Sequence, residues 1–288
     1  MHSLVNKGSY KPFIKWAGGK SRSVNKLLSL FPKNIDTYVE PFVGSGALYF
    51  KVNFKRAIIN DLNFELICAY RQVRDNLEHL KSLLRTFKYD REMFLEVRAW
   101  DRSDDFKDKE ELYHAARLIY LIKTCYNGLY RVNSKNHFNT PFGKDLRPNI
   151  CDEVVLNRCS EYLNKFNTEI YNLSYQDLLD KIPAGAFVYL DPPYHPLSQT
   201  SNFTSYQSSS WSEKNQEELF AFCKQLHKRG IKFMQSNSSA DFIIDLYKKD
   251  FRIDFIEVTR CINSDIKKRS PVKEVVIMNY DKKGRLLQ

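Results

Sequence analysis

The residues best equipped for chemistry stand together at Asp191-Pro192-Pro193-Tyr194-His195. A carboxylate follows the apolar run Ala186–Leu190, and two prolines follow the carboxylate. Such a turn suits one task, holding a planar amino group while that group attacks an electrophile. Asp191 would accept one amino hydrogen and the carbonyl of Pro192 the other. Pro193 stiffens the turn, and Tyr194 offers a ring face on which a base can stack. A strand-ending turn with a solvated aspartate is the plain alternative, and this stretch alone does not exclude it.

The elements that must position these groups can be read from the same pattern. Proline cannot continue a central strand, so the strand over Ala186–Leu190 ends with Asp191 at its carboxyl edge. In open α/β sheets that edge receives ligands. A second strand-to-turn unit runs from Tyr38 to Gly46, where Phe42, Gly44 and Gly46 shape a glycine-rich turn. A helix-like segment follows over Ala47–Val52. Ala57–Asn60 then predicts another strand ending at an acid, Asp61, which is placed to grip ribose hydroxyls. Asp61 also has the position of a helix N-cap before Asn63-Phe64-Glu65-Leu66. Near the N-terminus, Gly18-Gly19 permits a tight turn before Lys20, which could clamp an anion or a carboxylate. The full phosphate-loop spacing is missing there.

The 288 residues suffice for one large domain or for a core domain with an insertion. Neither a secretory leader nor a membrane-length apolar run is evident. Six cysteines, at 68, 125, 151, 159, 223 and 261, lack metal-ligand spacing and fit reduced thiols in the cytoplasm, so no metal site is expected. A net charge of +11 suggests a polyanionic partner. Helical periodicity dominates from about 76 to 166, with patterns over Asp90–Trp100, Glu110–Tyr126 and Asp152–Phe166. Between the last two lies a loop, Asn127–Ile150, mixing basic, Asn and aromatic residues in a manner that suits nucleic acid.

The α/β pattern then resumes. Strands are expected at Glu169–Leu173, Ile231–Gln235, Asp254–Val258 and Glu274–Tyr280, and helices at Glu213–Arg229 and Ala240–Lys249. The polar segment His195–Ser212 has the position of a lid. A basic loop, Lys267-Lys268-Arg269, could touch phosphates.

Taken together, the motifs resemble the Dam-type DNA adenine-N6 methyltransferases, the D12 class, alpha group. The stretches that carry the resemblance are F-I-K-W-A-G-G-K (Phe13–Lys20), E-P-F-V-G-S-G (Glu40–Gly46), Y-N-G-L-Y-R-V-N (Tyr126–Asn133), F-N-T-P-F-G (Phe138–Gly143), D-P-P-Y-H-P-L-S (Asp191–Ser198) and N-F-T-S-Y (Asn202–Tyr206). The chain departs from the pattern at Lys144-Asp145-Leu146-Arg147-Pro148, where relatives tend to be more basic or aromatic.

The resemblance implies an α/β, Rossmann-like methyltransferase sheet carrying an inserted, mostly helical target-recognition domain. The catalytic domain would comprise 1–75 and 168–288, and the DNA-recognition domain 76–167. It implies S-adenosylmethionine as cofactor, held by Trp16, Lys20, Phe42, Gly44, Gly46, Asp61 and Asp191. Asp191, Pro192 and Tyr194 would carry catalysis. Lys15, Tyr126, Asn127, Leu129, Arg131, Asn133 and Pro141 would contact double-stranded DNA, with GATC as the expected target. A cognate restriction endonuclease encoded nearby is a further partner that the resemblance admits. Methylation of RNA or of a protein amide is a rival activity, but such sites more often begin with Asn and lack the Y-N-G-L-x-R loop. A DNA-binding protein without catalysis is the other rival, opposed by Asp191, the glycine turn and Asp61.

Overall fold

The computed structural model describes residues 10–143, 148–197, 211–259 and 271–288. Its strands are β1 (Thr37–Glu40), β2 (Arg56–Asn60), β3 (Glu169–Tyr171), β4 (Phe187–Leu190), β5 (Lys232–Ser238), β6 (Arg252–Thr259) and β7 (Pro271–Met278). They form one sheet in the order β3-β2-β1-β4-β5-β7-β6. Neighbours from β3 to β5 pair in parallel, while β7 runs antiparallel to both β5 and β6. Strand order switches direction between β1 and β4, where Tyr38 pairs with Phe187 and Val39 with Val188. A crevice opens beyond the carboxyl ends of strands at such a switch, so Glu40 and Asp191 flank the natural ligand site.

Both faces of the central strands are covered, which explains their unbroken apolar runs. Tyr38, Phe187 and Tyr189 turn to one core, Val39, Val188 and Leu190 to the other, as the two-residue period of a strand requires. The first core is shared with helices α2 (Phe64–Asp75), α5 (Glu111–Thr124) and α6 (Glu153–Lys165). The second is closed by α7 (Glu213–Lys228) and α8 (Asp241–Tyr247). A short α1 (Val24–Leu28), with α3 (Leu77–Thr86) and α4 (Arg91–Ala99), adds apolar residues to the first core. Helices α3 to α6 fall in the interval between the glycine-rich turn and D-P-P-Y, and their apolar sides join one continuous core with the sheet.

Several expectations need correction. Ala47–Val52 is not a helix but a 3-10 turn over Tyr49–Lys51. Asp61 is not the N-cap of α2; Asn63 is, its side chain accepting from the Leu66 N–H at 2.9 Å. Helix α2 itself was visible in the sequence only at its start, because Leu66 to Tyr70, Gln72 and Val73 are all buried and leave little polar stripe. Strand β3 stops at Tyr171, whereas β5 runs on to Ser238, β6 starts at Arg252 and β7 spans Pro271–Met278. Ser198, Asn202–Tyr206, the lid segment 198–210, the turn 144–147 and the loop Lys267-Lys268-Arg269 lie outside the described residues. Among the described residues, no helix is long and apolar enough to cross a membrane.

One buried ionic cluster ties α5 to α2 and to the segment around Asp101. Arg117 of α5, 1% exposed, reaches Glu65 of α2 and Asp101, each at 2.6 Å. Asp101 Oδ2 also accepts the Phe138 N–H at 2.6 Å, and Arg102 donates to the Phe138 carbonyl at 3.1 Å. A guanidinium so deeply buried is tolerated only when its charge is matched and its N–H groups are satisfied. Here the matching fixes the hairpin strand that contains Phe138.

Candidate active site

Strand β4 ends at Leu190, and the side chain of Asp191 enters the crevice with its Oδ1 2.8 Å from Lys20 Nζ. The Gly18-Gly19 turn, closed by the Gly19 N–H on the Trp16 carbonyl at 3.2 Å, curls the N-terminal loop so that Lys20 arrives there. Lys20 Nζ also donates to the Gly18 carbonyl at 2.9 Å and sits 4.6 Å from the centre of the Tyr194 ring. Burial pushes the Asp191 carboxyl above its ordinary value, Lys20 pulls it back, and Glu274 pushes it up again. The ion pair thus favours the charged carboxylate, the form that accepts hydrogen bonds.

The turn after Asp191 is held from behind. The Pro193 carbonyl accepts from Gln216 Nε2 at 3.0 Å, Gln216 Oε1 accepts from Asn237 Nδ2 at 3.1 Å, and Asn237 Oδ1 accepts the His195 N–H at 3.2 Å. Gln216 stands in the first turn of α7, which Ser212 and Asn215 start with a reciprocal capping box. No described residue donates to the carbonyl of buried Pro192. Asp191 and Pro192 thus set two acceptor groups on consecutive residues at the crevice.

Acids collect around this point. Glu40, 3% exposed at the end of β1, accepts from the Tyr38 hydroxyl at 2.9 Å. Burial holds the Glu40 carboxyl well above its ordinary value, and the charges of Asp191 and Asp61 raise it further. Asp61 accepts the Gly44 N–H at 3.0 Å and the Asn63 N–H at 3.0 Å, so it staples the glycine turn to the end of β2. Burial raises the Asp61 carboxyl as well, against these N–H donors. Glu274 of β7 accepts from the Tyr194 hydroxyl at 3.0 Å. This edge of the sheet is rich in carboxyl groups although the chain as a whole is basic.

Apolar surfaces border the acids. The Gly44 backbone is left-handed, with φ +48°, and a side chain there would meet Trp16 Cδ1 at 2.9 Å. The close approach that Gly44 permits is therefore to the Trp16 indole. In the same turn the Gly46 N–H bonds the Val43 carbonyl at 2.7 Å. Phe42 packs on Tyr175 and Trp211, at 5.4 and 5.8 Å between rings. Leu62, directly after Asp61, is 77% exposed, an apolar side chain standing in open water at the ligand edge.

The Y-N-G-L-Y-R stretch forms a hairpin with F-N-T-P-F-G through bridges Cys125–Phe142 and Val132–Phe138. The Tyr126 N–H bonds the Pro141 carbonyl at 2.9 Å, which sets these two exposed side chains side by side. Tyr126 and Leu129 are 56% and 39% exposed, large apolar groups held outward at the Tyr126–Gly128 turn near the hairpin's base. Asn127 and Gly128 both take left-handed backbone, φ +57° and +64°. A side chain at 128 would meet Lys15 Cδ at 3.0 Å, so the lysine stem lies against the Tyr126–Gly128 turn. Arg131 donates through Nε to Asn139 Oδ1 at 2.7 Å and through Nη2 to the Asn139 carbonyl at 3.3 Å. Asn133 Oδ1 is engaged within the turn by the N–H groups of Lys135 and His137, at 2.9 and 3.0 Å. Its acceptor is thus spent on shaping the hairpin. Tyr130 stacks on Trp16 at 4.9 Å, which joins this hairpin to the crevice.

The fold thus brings Lys20, Asp61, Asp191 and Tyr194 to one edge with Trp16, Phe42 and the glycine turn, and it gathers Lys15, Tyr126, Asn127, Leu129, Arg131, Asn133 and Pro141 on the adjoining hairpin side. The sequence reading missed Glu40, Leu62, Asn139, Gln216, Asn237 and Glu274 as contributors. A glutamate closing one apolar run and another opening a second were the available signals for Glu40 and Glu274.

The sheet and its ligand edge are those of an α/β, Rossmann-like S-adenosylmethionine-dependent methyltransferase. A family model described as D12 class N6 adenine-specific DNA methyltransferase matches residues 16–262. The Type II methyltransferase M1.LlaDCHI of Lactococcus lactis subsp. cremoris is 40% identical over 277 residues, covering 96% of this chain and 97% of its own. The Type II methyltransferase M.MjaIII of Methanocaldococcus jannaschii is 38% identical, with 94% and 99% covered. A DNA adenine methylase of Escherichia coli K12 is 30% identical over 93% of this chain and 95% of its own. The chain belongs to the D12 class of N6 adenine-specific DNA methyltransferases, enzymes that methylate adenine in DNA.

Proposed function

We propose that this enzyme transfers a methyl group from S-adenosylmethionine to the N6 of an adenine flipped out of GATC in duplex DNA. The observation that carries the reading is Asp191 at the β1/β4 switch point, paired with Lys20 and followed by a Pro192 carbonyl to which no described residue donates. The residues present fit the cofactor. Glu40, Asp61, Asp191 and Glu274 make an acidic edge suited to a cationic sulfonium, and Trp16, Phe42 and exposed Leu62 are apolar surfaces suited to a purine. Asp61 uses two lone pairs on backbone N–H groups and retains others for ribose hydroxyls. S-adenosylmethionine, when bound, supplies a methyl group on an electrophilic sulfonium.

The protein's part is orientation and acceptance. An adenine amino nitrogen is a weak nucleophile because its lone pair is spread into the ring. Asp191 and the Pro192 carbonyl take its two hydrogens and favour a tetrahedral nitrogen, which localises the lone pair for direct attack. Their help grows as positive charge develops on that nitrogen, so it acts on the transition state. Tyr194 offers its ring to the extruded base and offsets the lost duplex stacking. Lys20 now covers that ring, so the entering base must displace the ammonium from the ring face.

Residues 76–167 are assigned to target recognition on the strength of the hairpin they carry. Arg131, steered by Asn139 through Nε and one Nη2 hydrogen, keeps its Nη1 edge for guanine O6 and N7. Leu129 and Pro141 suit the thymine methyl, Lys15 the first guanine, and exposed Tyr126 the gap left by the adenine, with Asn127 supporting it. Asn133 enters this scheme mainly by shaping the turn. A restriction endonuclease encoded alongside is the partner that two relatives' names, Type II methyltransferases, bring to mind.

The reading is tested with tritiated S-adenosylmethionine and two duplexes that differ only in one GATC. Label should enter the GATC duplex as N6-methyladenine; equal labelling of both duplexes contradicts the assigned target, and no transfer to either contradicts the activity. The cofactor role of Asp61 has its own expected outcome. Asp61→Ala raises KM for S-adenosylmethionine more than it lowers kcat, because a ribose contact is made alike in ground and transition states. A folded variant with unchanged KM would leave Asp61 as a staple between Gly44 and Asn63.

A further inference from the structure

Strand β7 alternates between the two cores, Val275 and Ile277 on one side, Val276 and Met278 on the other. Glu274 takes the next place on the Val276 side and is 6% exposed. An apolar residue would extend that face, whereas a buried carboxylate costs stability unless hydrogen-bonded or paired. What it gains is the Tyr194 hydroxyl at 3.0 Å. The antiparallel register sets Glu274 opposite Ser238, one residue beyond Asn237, whose side chain holds the His195 N–H. Adjacent strands thus grip Tyr194 twice, by the backbone just after it and by the far end of its ring. Asp191 is the other carboxylate within reach of that hydroxyl: burial raises its carboxyl, and a hydrogen bond from Tyr194 is among the contacts that lower it.

We infer that Glu274 is a positioning residue for methyl transfer: it takes the Tyr194 O–H, which holds the ring in place for the base and draws the phenol proton away from Asp191. The inference rests on the reading of Tyr194 as the platform for the flipped adenine. Without Glu274 the phenol has Asp191 as its remaining carboxylate acceptor. It would then occupy a lone pair that the amino group needs, and the ring would tilt with it. Glu274 touches neither reacting atom and acts entirely through Tyr194.

The test compares single-turnover methylation of a GATC duplex by wild type, Glu274→Gln, Glu274→Leu, Tyr194→Phe, Tyr194→Ala and the double Glu274→Leu/Tyr194→Phe. Loss of a hydrogen bond to a charged group predicts that Glu274→Leu and Tyr194→Phe each slow the reaction about tenfold to a hundredfold. Cofactor affinity and unfolding midpoint should stay near wild type. Glu274→Gln, whose amide oxygen still accepts the O–H, should retain most of the rate. The double variant should be no slower than the slower single, because both remove one contact. A wild-type rate for Glu274→Leu, a Gln variant as slow as Leu, or losses that multiply in the double would overturn the inference. Should Glu274→Leu fail to fold, Tyr194→Phe still decides, since a wild-type rate there leaves Glu274 nothing to act through. Tyr194→Ala separates the two levels. Its unimpaired turnover would sink the platform reading and this inference with it; its collapse beside a normal Glu274→Leu would sink this inference alone.

Discussion

Asp191→Ala should remove turnover while leaving duplex DNA binding nearly unchanged. The carboxylate is one of two acceptors for the amino hydrogens, and its contribution rises as the nitrogen becomes positive. Deleting one preorganised transition-state partner costs about 10²–10³-fold in rate, and loss of the orienting carboxylate adds to that. Lys20, now 2.8 Å away, would be left without its acid and would compete for the site as an unmatched cation. The conservative Asp191→Asn keeps an acceptor oxygen but loses the charge that pairs with Lys20, so it should fall between wild type and Asp191→Ala. Single-turnover methylation and equilibrium DNA binding, measured on the same preparations, check the split. A variant that keeps a large fraction of wild-type kcat would remove Asp191 from the mechanism.

Arg131→Ala should change which sequences are methylated more than how fast the cognate site is methylated once bound. The guanidinium is presented by Asn139, which occupies Nε and one Nη2 position and leaves a planar edge of the kind that reads guanine. Losing a bidentate base contact costs about 1–3 kcal/mol of discrimination, or roughly ten- to a hundredfold, at one position of the site. The hairpin should persist, because it is held by Phe138 on Asp101 and by the Cys125–Phe142 and Val132–Phe138 bridges. Competition between GATC and its single-base variants, run for both enzymes, gives the ratio directly. Unaltered selectivity would move guanine recognition elsewhere.

These expectations rest on parts that were unequally legible in the sequence. D-P-P-Y and the glycine turn could be read because each is local: a strand, a chain-breaking signal and a polar group occur in one short stretch. Their adjacency was not local. It arises because β1 and β4 are neighbours at the switch point, separated in the chain by α2 to α6. Helix α2 escaped attention because it is buried nearly all round, so the periodic polar face that reveals a helix is weak. Asp61 looked like a cap, but the N–H groups of Gly44 and Asn63 take its oxygens and Asn63 does the capping. Glu274, Gln216 and Asn237 were illegible as site residues because their partners, Tyr194, Pro193 and His195, lie far off in sequence. Insertion of β7 between β5 and β6, which brings Glu274 to the site, follows from antiparallel pairing that no local signal specifies.

The central claim is methyl transfer to the adenine of GATC, and single-base mapping of N6-methyladenine tests it most directly. The enzyme would be expressed in a host free of adenine methylation, and a plasmid from that host mapped on both strands. The account predicts modification at the adenine of GATC sites and background levels at every other adenine. Methylated adenines spread over unrelated sequences, or methyl groups on cytosine alone, would contradict it.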